Sequence, residues 1–257
     1  MENIYKSSLK SKGKPLFIPF TVLGDPDYHK SLEVIKVMIE NGADALELGF
    51  PFSDPPADGP VIQAAHKRAL ENGMTTRRCF ELIAEVRKFS QIPIGLLIYY
   101  NLVLQYGTDA FYAECAKSGV NSVLIADLPL EHVAEISEPA EKHKIGQVYL
   151  VSELTTKDRL EKILERVNAY IYLVSYLGVT GKDQKLFGKN IAEMVKSIRA
   201  ASDIPVFVGF GIGSAEQASV AIQSGVDGFL VGSKLVQEIP NLEKIKFLTH
   251  QFYEATR

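Results

Sequence analysis

Eight short apolar segments, separated by longer stretches with helical periodicity, constrain the fold of this chain more than any other feature. Each segment has four to seven residues, is rich in Val, Ile, Leu and Tyr, and is continuously apolar rather than alternating. Continuous apolar segments of this length are typical of strands buried on both faces of a parallel sheet. The segments are Leu16–Val22, Ala45–Leu48, Ile94–Ile98, Ser122–Ala126, Gln147–Val151, Tyr170–Ser175, Pro205–Gly209 and Gly228–Val231.

The intervening stretches have the periodicity of amphipathic helices. Apolar residues recur every three or four positions in Ser31–Glu40, which is followed by Asn41 and Gly42, a helix-stop signal. Ser214 with Gln217 forms a capping-box pattern at the start of another helix. The helix that begins at Ser214 covers Glu216–Gln223. The remaining predicted helices are Arg77–Phe89, Asp109–Lys117, Glu131–Lys142, Lys157–Arg166, Ile191–Ala200 and Leu242–Tyr253, with a short helix in Met1–Ser11 across the bottom of the fold.

Eight strand–helix units without a break in composition predict an α/β fold, a single parallel eight-stranded (β/α)8 TIM barrel with an extra N-terminal helix. The length of 257 residues suits one such domain, spanning residues 1–257. A doubly wound sheet fits less well. Its first strand normally runs into a glycine-rich turn, whereas here the first strand leads to Gly24–Asp25–Pro26.

Composition excludes several classes of function. A net charge of −3 without a basic cluster argues against a nucleic-acid partner, because phosphate-backbone binding needs clustered Lys and Arg. The polar, lysine-rich Met1–Lys14 is not a signal peptide, and no apolar stretch is long enough for a membrane span, so a cytoplasmic protein is expected.

Cys79 and Cys115 have no redox or metal spacing and are predicted to be buried structural thiols. The five histidines lack metal-ligand spacing, so no metal site is expected.

A carboxylate interrupts the second predicted strand. In this fold the active site lies at the carboxyl ends of the strands, and Glu47 stands near such an end in an otherwise apolar segment. Burial raises the pKa of a carboxyl group, which suits proton transfer near neutral pH; the alternative is a structural Glu paired to a neighbour. The proline-rich loop Phe50–Pro60 follows. On it, Asp58 is expected to face Glu47. Asp54, which precedes Pro55, is equally consistent with a functional acid and with a turn residue.

Glycine-bearing loops follow the last three strands: Gly178–Gly181, Gly209–Gly213 and Gly232–Lys234. Glycine lets backbone N–H groups approach an anion closely, and the loops after strands seven and eight often bind phosphate in this fold. These loops therefore favour a phosphate site over a role as simple turns. Other side chains expected near the barrel mouth suit either a slot for a flat ring or ordinary core packing: Phe20, Leu97, Tyr99, Ala126, Leu150 and Tyr172. Asp127 is expected to anchor a loop or contact a partner.

The segment Leu46–Gln63 closely resembles the signature segment of the tryptophan synthase α-subunit family. The resemblance continues, in order, through Pro19–Phe20, Pro93–Tyr99, Ala126–Pro129, Gly178–Gly181 and Gly209–Ile212. It therefore extends over nearly the whole chain. The family cleaves indole-3-glycerol phosphate by a retro-aldol reaction into indole and D-glyceraldehyde 3-phosphate.

This resemblance implies roles for individual residues. Glu47 and Asp58 would be the catalytic acids, with Glu47 protonating indole C3 and Asp58 accepting a hydrogen bond from the indole N–H. Around the indole and glycerol groups it implies Phe20, Leu97, Tyr99, Leu124, Ala126, Leu150, Tyr172 and Thr180. At the phosphate it implies Gly181, Gly211, Gly232 and Ser233.

The resemblance also implies no cofactor in this chain and a partner, the pyridoxal-phosphate-containing β subunit, usually in an αββα heterotetramer. The loops Ser53–Pro60 and Tyr176–Asn190 would close the site and signal to that partner. Tyr176 and Ser152–Glu153 depart from the common family pattern, which puts loop dynamics and partner contacts in doubt rather than the chemistry.

Three alternatives remain open at this point. The first is a stand-alone lyase of the same chemistry that releases free indole, and the second is an activator that mainly regulates the β subunit. The third is another phosphate-binding barrel, such as an isomerase or aldolase. A Schiff-base aldolase needs a lysine at a strand end, and Lys234, which follows the phosphate glycines, is expected to face solvent instead.

Overall fold

The computed structural model of the protein describes residues 3–174 and 184–257, with side chains in the second range described from residue 189. It is a parallel barrel, as predicted. Within the described residues the strand order is β5-β4-β3-β2-β1-β9-β8-β7-β6, and every pairing is parallel. The strands are β1 Leu16–Val22, β2 Leu46–Gly49, β3 Ile94–Ile98, β4 Ser122–Ile125, β5 Gly146–Gln147, β6 Tyr149–Ser152, β7 Ile171–Val174, β8 Val206–Gly209 and β9 Gly228–Val231.

The fifth predicted strand is divided into β5 and β6 at Val148, which differs from the prediction of one continuous strand. The Val148 N–H still donates to the Val123 carbonyl (3.2 Å), whereas the Gln147 carbonyl accepts from the Ala169 N–H (3.2 Å). The chain thus changes its pairing partner from β4 to β7 at this point. The two pieces together close the barrel.

Helices surround the barrel on the outside, and most of the predicted ones are confirmed. The additional helices are α3, α5 and α11; α3 begins at Pro60, whose fixed φ suits the first position of a helix. The helices are α1 Ile4–Lys12, α2 Tyr28–Glu40, α3 Pro60–Glu71, α4 Thr76–Arg87, α5 Tyr100–Tyr106, α6 Thr108–Ser118, α7 Ala134–Lys142, α8 Lys157–Leu164, α9 Gln184–Arg199, α10 Ala215–Gln223, α11 Ser233–Val236 and α12 Leu242–Glu254, with a 3-10 turn at Leu130–His132.

The predicted N-terminal helix α1 covers the amino-terminal end of the barrel. Asn3 caps the helix through Tyr5 N–H and Lys6 N–H and also donates to the Ala169 carbonyl (2.6 Å). Tyr5 is 2% exposed, forms a hydrogen bond with Ser122 Oγ (2.7 Å) and packs edge-on against Tyr170. Aromatic side chains therefore seal the floor of the barrel, and the opposite end is left for a site.

The predictions for the two cysteines and for Asp127 are also confirmed. Cys79 and Cys115 are buried free thiols. Asp127 anchors a loop, because its Oδ1 accepts a hydrogen bond from the Tyr100 N–H (2.7 Å) at the start of α5. No helix in residues 3–174 and 184–257 is long and apolar enough to cross a membrane.

Strands β1 and β9 approach so closely at Gly228 that only glycine fits there. A Cβ at Gly228 would lie 2.4 Å from the Leu16 carbonyl oxygen, which is backbone and cannot move aside. We expect Gly228→Ala to lower the free energy of unfolding by about 1–3 kcal/mol, as measured by urea denaturation. The matched control is Gly59→Ala, at a φ of −77° with no atom within 4 Å of the new Cβ, for which a change below about 0.5 kcal/mol is expected. Equal effects of the two substitutions would contradict this account of the β1–β9 contact.

Candidate active site

The carboxyl ends of the strands surround a cavity of about 360 Å³. Both predicted catalytic acids line it, and so do the glycine-bearing loops after β8 and β9. The structure thereby brings together eight of the residues predicted from the sequence: Phe20, Glu47, Asp58, Leu97, Tyr172, Gly211, Gly232 and Ser233. A volume of this size falls in the range of small-molecule sites.

Glu47 lies in β2, level with Phe20 of β1 and Gly95 of β3, and is 1% exposed. Burial raises its pKa from 4.5 to about 8, and the nearby Asp58 charge adds to that rise. A hydrogen bond from the Tyr170 hydroxyl to Glu47 Oε1 (3.3 Å) opposes it. Among the described residues, no Lys, Arg or His forms an ion pair with Glu47. The carboxyl group is therefore mostly protonated at neutral pH and borders the cavity, as a proton donor should.

Asp58 is held by Tyr99, the residue that follows β3. The Tyr99 hydroxyl donates to Asp58 Oδ2 (2.6 Å) and accepts from the Ala57 N–H (3.3 Å). The Phe52 ring stacks on the Tyr99 ring with centroids 5.1 Å apart. Tyr99 thus fixes the proline-rich loop against the barrel, which explains why the Asp58 side chain is only 7% exposed on an otherwise exposed segment. Asp54, by contrast, is exposed and accepts a hydrogen bond from Ser53.

Sequence reasoning missed two residues that contact the acids. His66, on α3, lies with its Nε2 3.1 Å from Asp58 Oδ2, although the sequence shows only scattered histidines. Tyr170, which contacts Glu47, is part of a predicted strand with no sign of its polar role. The signal for His66 was its position eight residues after Asp58, on a helix that the sequence analysis did not predict.

The opposite end of the cavity has features of an anion site. Phe210 and Gly211 have positive φ values of 61° and 89°, which turns the backbone sharply after β8. Ser233 opens the short helix α11, and Lys234 follows it. Lys234 is half-buried and lines the cavity, so the expectation that it faces solvent is wrong. In the part of the chain that the structure describes, Lys234 forms no ion pair, so its charge is available at this end of the cavity.

Three predicted substrate-binding residues lie elsewhere. Leu124, Ala126 and Leu150 line a second cavity of about 380 Å³, beside β4 and β6 where the fifth strand is divided. Their contact with the substrate stays a prediction. Thr180 and Gly181 lie outside the described residues, as do Tyr176 and most of the second predicted loop.

Comparison with known proteins relates this arrangement to one family. The model of the family described as tryptophan synthase alpha chain matches residues 6–257. A tryptophan synthase alpha chain of Methanothermobacter thermautotrophicus is 45% identical over 239 residues, which are 93% of this chain and 88% of the relative. The chain belongs to the tryptophan synthase alpha chain family.

Solved structures agree with this assignment. Tryptophan synthase subunit alpha from Legionella pneumophila superposes with a TM-score of 0.90 at 30% identity, covering 100% of this chain and 99% of that one. A tryptophan synthase complex from Pyrococcus furiosus has a chain with a TM-score of 0.85 at 34% identity, covering 94% and 99% respectively. The resemblance drawn from Leu46–Gln63 is confirmed, and isomerases and aldolases of other barrel families no longer fit.

The buried Glu47 gives the stability of this family member a specific pH dependence. The pKa of Glu47 is raised on folding, so its contribution to stability is complete below pH 4.5 and is lost as the pH rises to about 8. We expect Glu47→Gln, which cannot ionise, to gain stability relative to wild type across this window by a few kcal/mol. Urea denaturation at intervals from pH 4.5 to 9 measures this difference. The exposed Glu40→Gln serves as control, and a Glu47→Gln difference that stays constant with pH would contradict the raised pKa.

Proposed function

We propose that this member of the tryptophan synthase alpha chain family cleaves indole-3-glycerol phosphate with Glu47 as the general acid and base and Asp58 as the partner of the indole N–H. One observation carries the assignment: a fully buried carboxyl group, whose burial raises its pKa to about 8, and a second carboxyl group line the same cavity. The two acids differ in their surroundings, which is the usual basis for different roles in catalysis.

In the first step, the Glu47 proton is transferred to indole C3. The ring becomes an indolenine with positive charge at nitrogen, and Asp58 stabilises this charge through a hydrogen bond from the N–H. Burial of Glu47 supports the role of acid, because the buried carboxyl group keeps its proton up to about pH 8. Above that pH the carboxylate has no proton to give, and the rate should fall.

In the second step, the ionised Glu47 removes the proton of the hydroxyl group next to the ring. The electron pair of that O–H bond forms the carbonyl of glyceraldehyde 3-phosphate, and the carbon–carbon bond to indole C3 breaks. Its electrons return to the ring and neutralise the nitrogen. The proton that Glu47 gave to C3 is thus balanced by the one it recovers, and the enzyme ends in its starting state.

The phosphate is assigned to the opposite end of the cavity. Gly211, Gly232 and Ser233 line that end, and Gly181 is assigned there from the family resemblance. Backbone N–H groups of such loops suit a phosphate. Lys234 adds a positive charge that can bind the dianion as a point charge. The indole ring would then lie between Phe20, Leu97 and Tyr172, with the ring edge toward the two acids.

The natural partner is assigned as the pyridoxal-phosphate β subunit, in an αββα heterotetramer located in the cytoplasm. A solved relative from Pyrococcus furiosus is described as a tryptophan synthase complex, which supports a subunit over a stand-alone lyase. Loop Ser53–Pro60 carries Asp58 at the exposed mouth of the barrel, so partner contacts there would reach a catalytic group directly. The alternative of a pure activator is disfavoured by the presence of both acids.

We expect Glu47→Gln and Asp58→Asn each to reduce the rate of indole formation from indole-3-glycerol phosphate by about 10²–10⁴-fold, because each removes a group that acts on the transition state. Indole release is measured with and without a β subunit, and circular dichroism checks the fold. Asp54→Asn, on the same loop but exposed, is the matched control and should retain activity. A Glu47→Gln variant as fast as wild type would refute the proton-transfer role, and high turnover that does not change on adding β subunit would favour the stand-alone lyase.

The assignment of Lys234 gives a separate expectation. Lys234→Gln should raise KM for indole-3-glycerol phosphate by about tenfold and leave kcat nearly unchanged, because the phosphate is bound equally in the ground and transition states. Inhibition by glycerol 3-phosphate should weaken by a similar factor. Lys244→Gln, whose lysine pairs with Glu238 on the outer surface, is the control. An unchanged KM for Lys234→Gln would show that its charge does not reach the phosphate.

A further inference from the structure

We propose that His66 is a positioning residue for this reaction: it holds Asp58 by a hydrogen bond on one carboxylate oxygen so that the other oxygen points to the substrate. This inference rests on the proposed role of Asp58. His66 is 1% exposed, and both of its ring nitrogens are in contact with the loop that carries Asp58.

The contacts of the ring determine where its proton lies. The Phe52 backbone N–H donates to His66 Nδ1 (3.4 Å), and a backbone N–H can only donate, so Nδ1 is unprotonated. In the neutral ring the proton is then on Nε2, which lies 3.1 Å from Asp58 Oδ2. His66 is therefore the donor to the carboxylate. The other tautomer, with its proton on Nδ1, would place two donors against each other at the Phe52 N–H and two acceptors against each other at Asp58 Oδ2.

Two donors converge on the same oxygen of Asp58. The Tyr99 hydroxyl lies 2.6 Å from Oδ2 and His66 Nε2 lies 3.1 Å from it. Together they fix the rotation of the carboxylate about its last side-chain bond, because any turn short of the equivalent half-turn would move the accepting oxygen away from both donors. Asp58 still borders the cavity. The substrate N–H thus meets a carboxylate whose direction is already set, which reduces the reorganisation needed in the transition state.

His66 is well suited to this task because neighbouring contacts of α3 and of Tyr99 fix its own position. Two residues further along α3, Arg68 forms a bidentate pair with the fully buried Asp25 that follows β1, at 2.7 and 2.9 Å. The His66 ring also meets the Tyr99 ring edge-on, with centroids 6.4 Å apart. The histidine therefore connects a loop of mostly exposed residues to a helix that is tied to the barrel.

Three substitutions at His66 separate its two contacts. His66→Gln keeps a side-chain N–H donor at about the distance of Nε2, whereas His66→Asn keeps an acceptor near Nδ1 but does not reach Asp58. His66→Leu keeps the approximate volume and removes both. We expect kcat to fall by about 10–100-fold in the Asn and Leu variants, with KM within about threefold of wild type, and to stay within about fivefold in the Gln variant. Indole formation is measured with the full chain in complex with a β subunit.

A double-mutant cycle distinguishes positioning from a merely structural role. In the Asp58→Asn background, His66→Leu should have almost no further effect on kcat, since the group that it positions is already altered. Additive losses would overturn the proposal, as would a His66→Asn variant as active as His66→Gln or a His66→Leu variant equal to wild type. If His66→Leu does not fold, the comparison of Gln with Asn still decides. A wild-type chain that forms no indole would instead refute the proposed function.

Discussion

The function proposed for this fold depends above all on a carboxyl group buried inside an apolar barrel. Glu47 occupies a strand position where its neighbours are hydrophobic and where no described cation offsets its charge. Ionising such a side chain costs free energy, because the charge would lose its hydration. Burial therefore raises the pKa of Glu47 to about 8, and the carboxyl group keeps its proton at neutral pH. The same burial that lowers stability at high pH would supply the acid of the proposed reaction. Burial of this carboxyl group thus opposes stability and favours the proposed catalysis.

Much of the fold followed from the sequence because the signals were local. Strands buried on both faces read as continuous apolar segments, and Glu47 was conspicuous as a charge within one of them. The division of the fifth strand at Val148 could not be predicted, because hydrophobicity does not record which neighbour a residue pairs with. The short helices α5 and α11 have too few residues to show a period, and α3 follows a proline-rich loop that hides its start.

The site was predicted less completely, for a related reason. Glu47, Asp58 and the glycine loops stand at strand ends, where the barrel fold itself indicates function, and the family resemblance extended the set. His66 acts through a tertiary contact: α3 must pack back against the loop before the ring can meet Asp58. Lys234 was misjudged because its position after the last strand does not by itself show whether the side chain turns outward or into the cavity. Leu124, Ala126 and Leu150 lie around a different cavity from the acids.

The sealed floor of the barrel has a consequence for hydrogen exchange between the Glu47 carboxyl group and solvent. Tyr5, Ser122 and Tyr170 lie between Glu47 and the floor of the barrel, and each is at most 2% exposed. Within the described residues, water therefore has no path to the Glu47 carboxyl group from the floor. Its hydrogen exchanges with bulk solvent only by way of the open mouth, and a ligand seated there blocks that way. In the proposed reaction, the hydrogen delivered to the ring would then be the one already on Glu47 when the ligand binds. A complex formed in heavy water and moved briefly to ordinary water before turnover would keep that label in the released product.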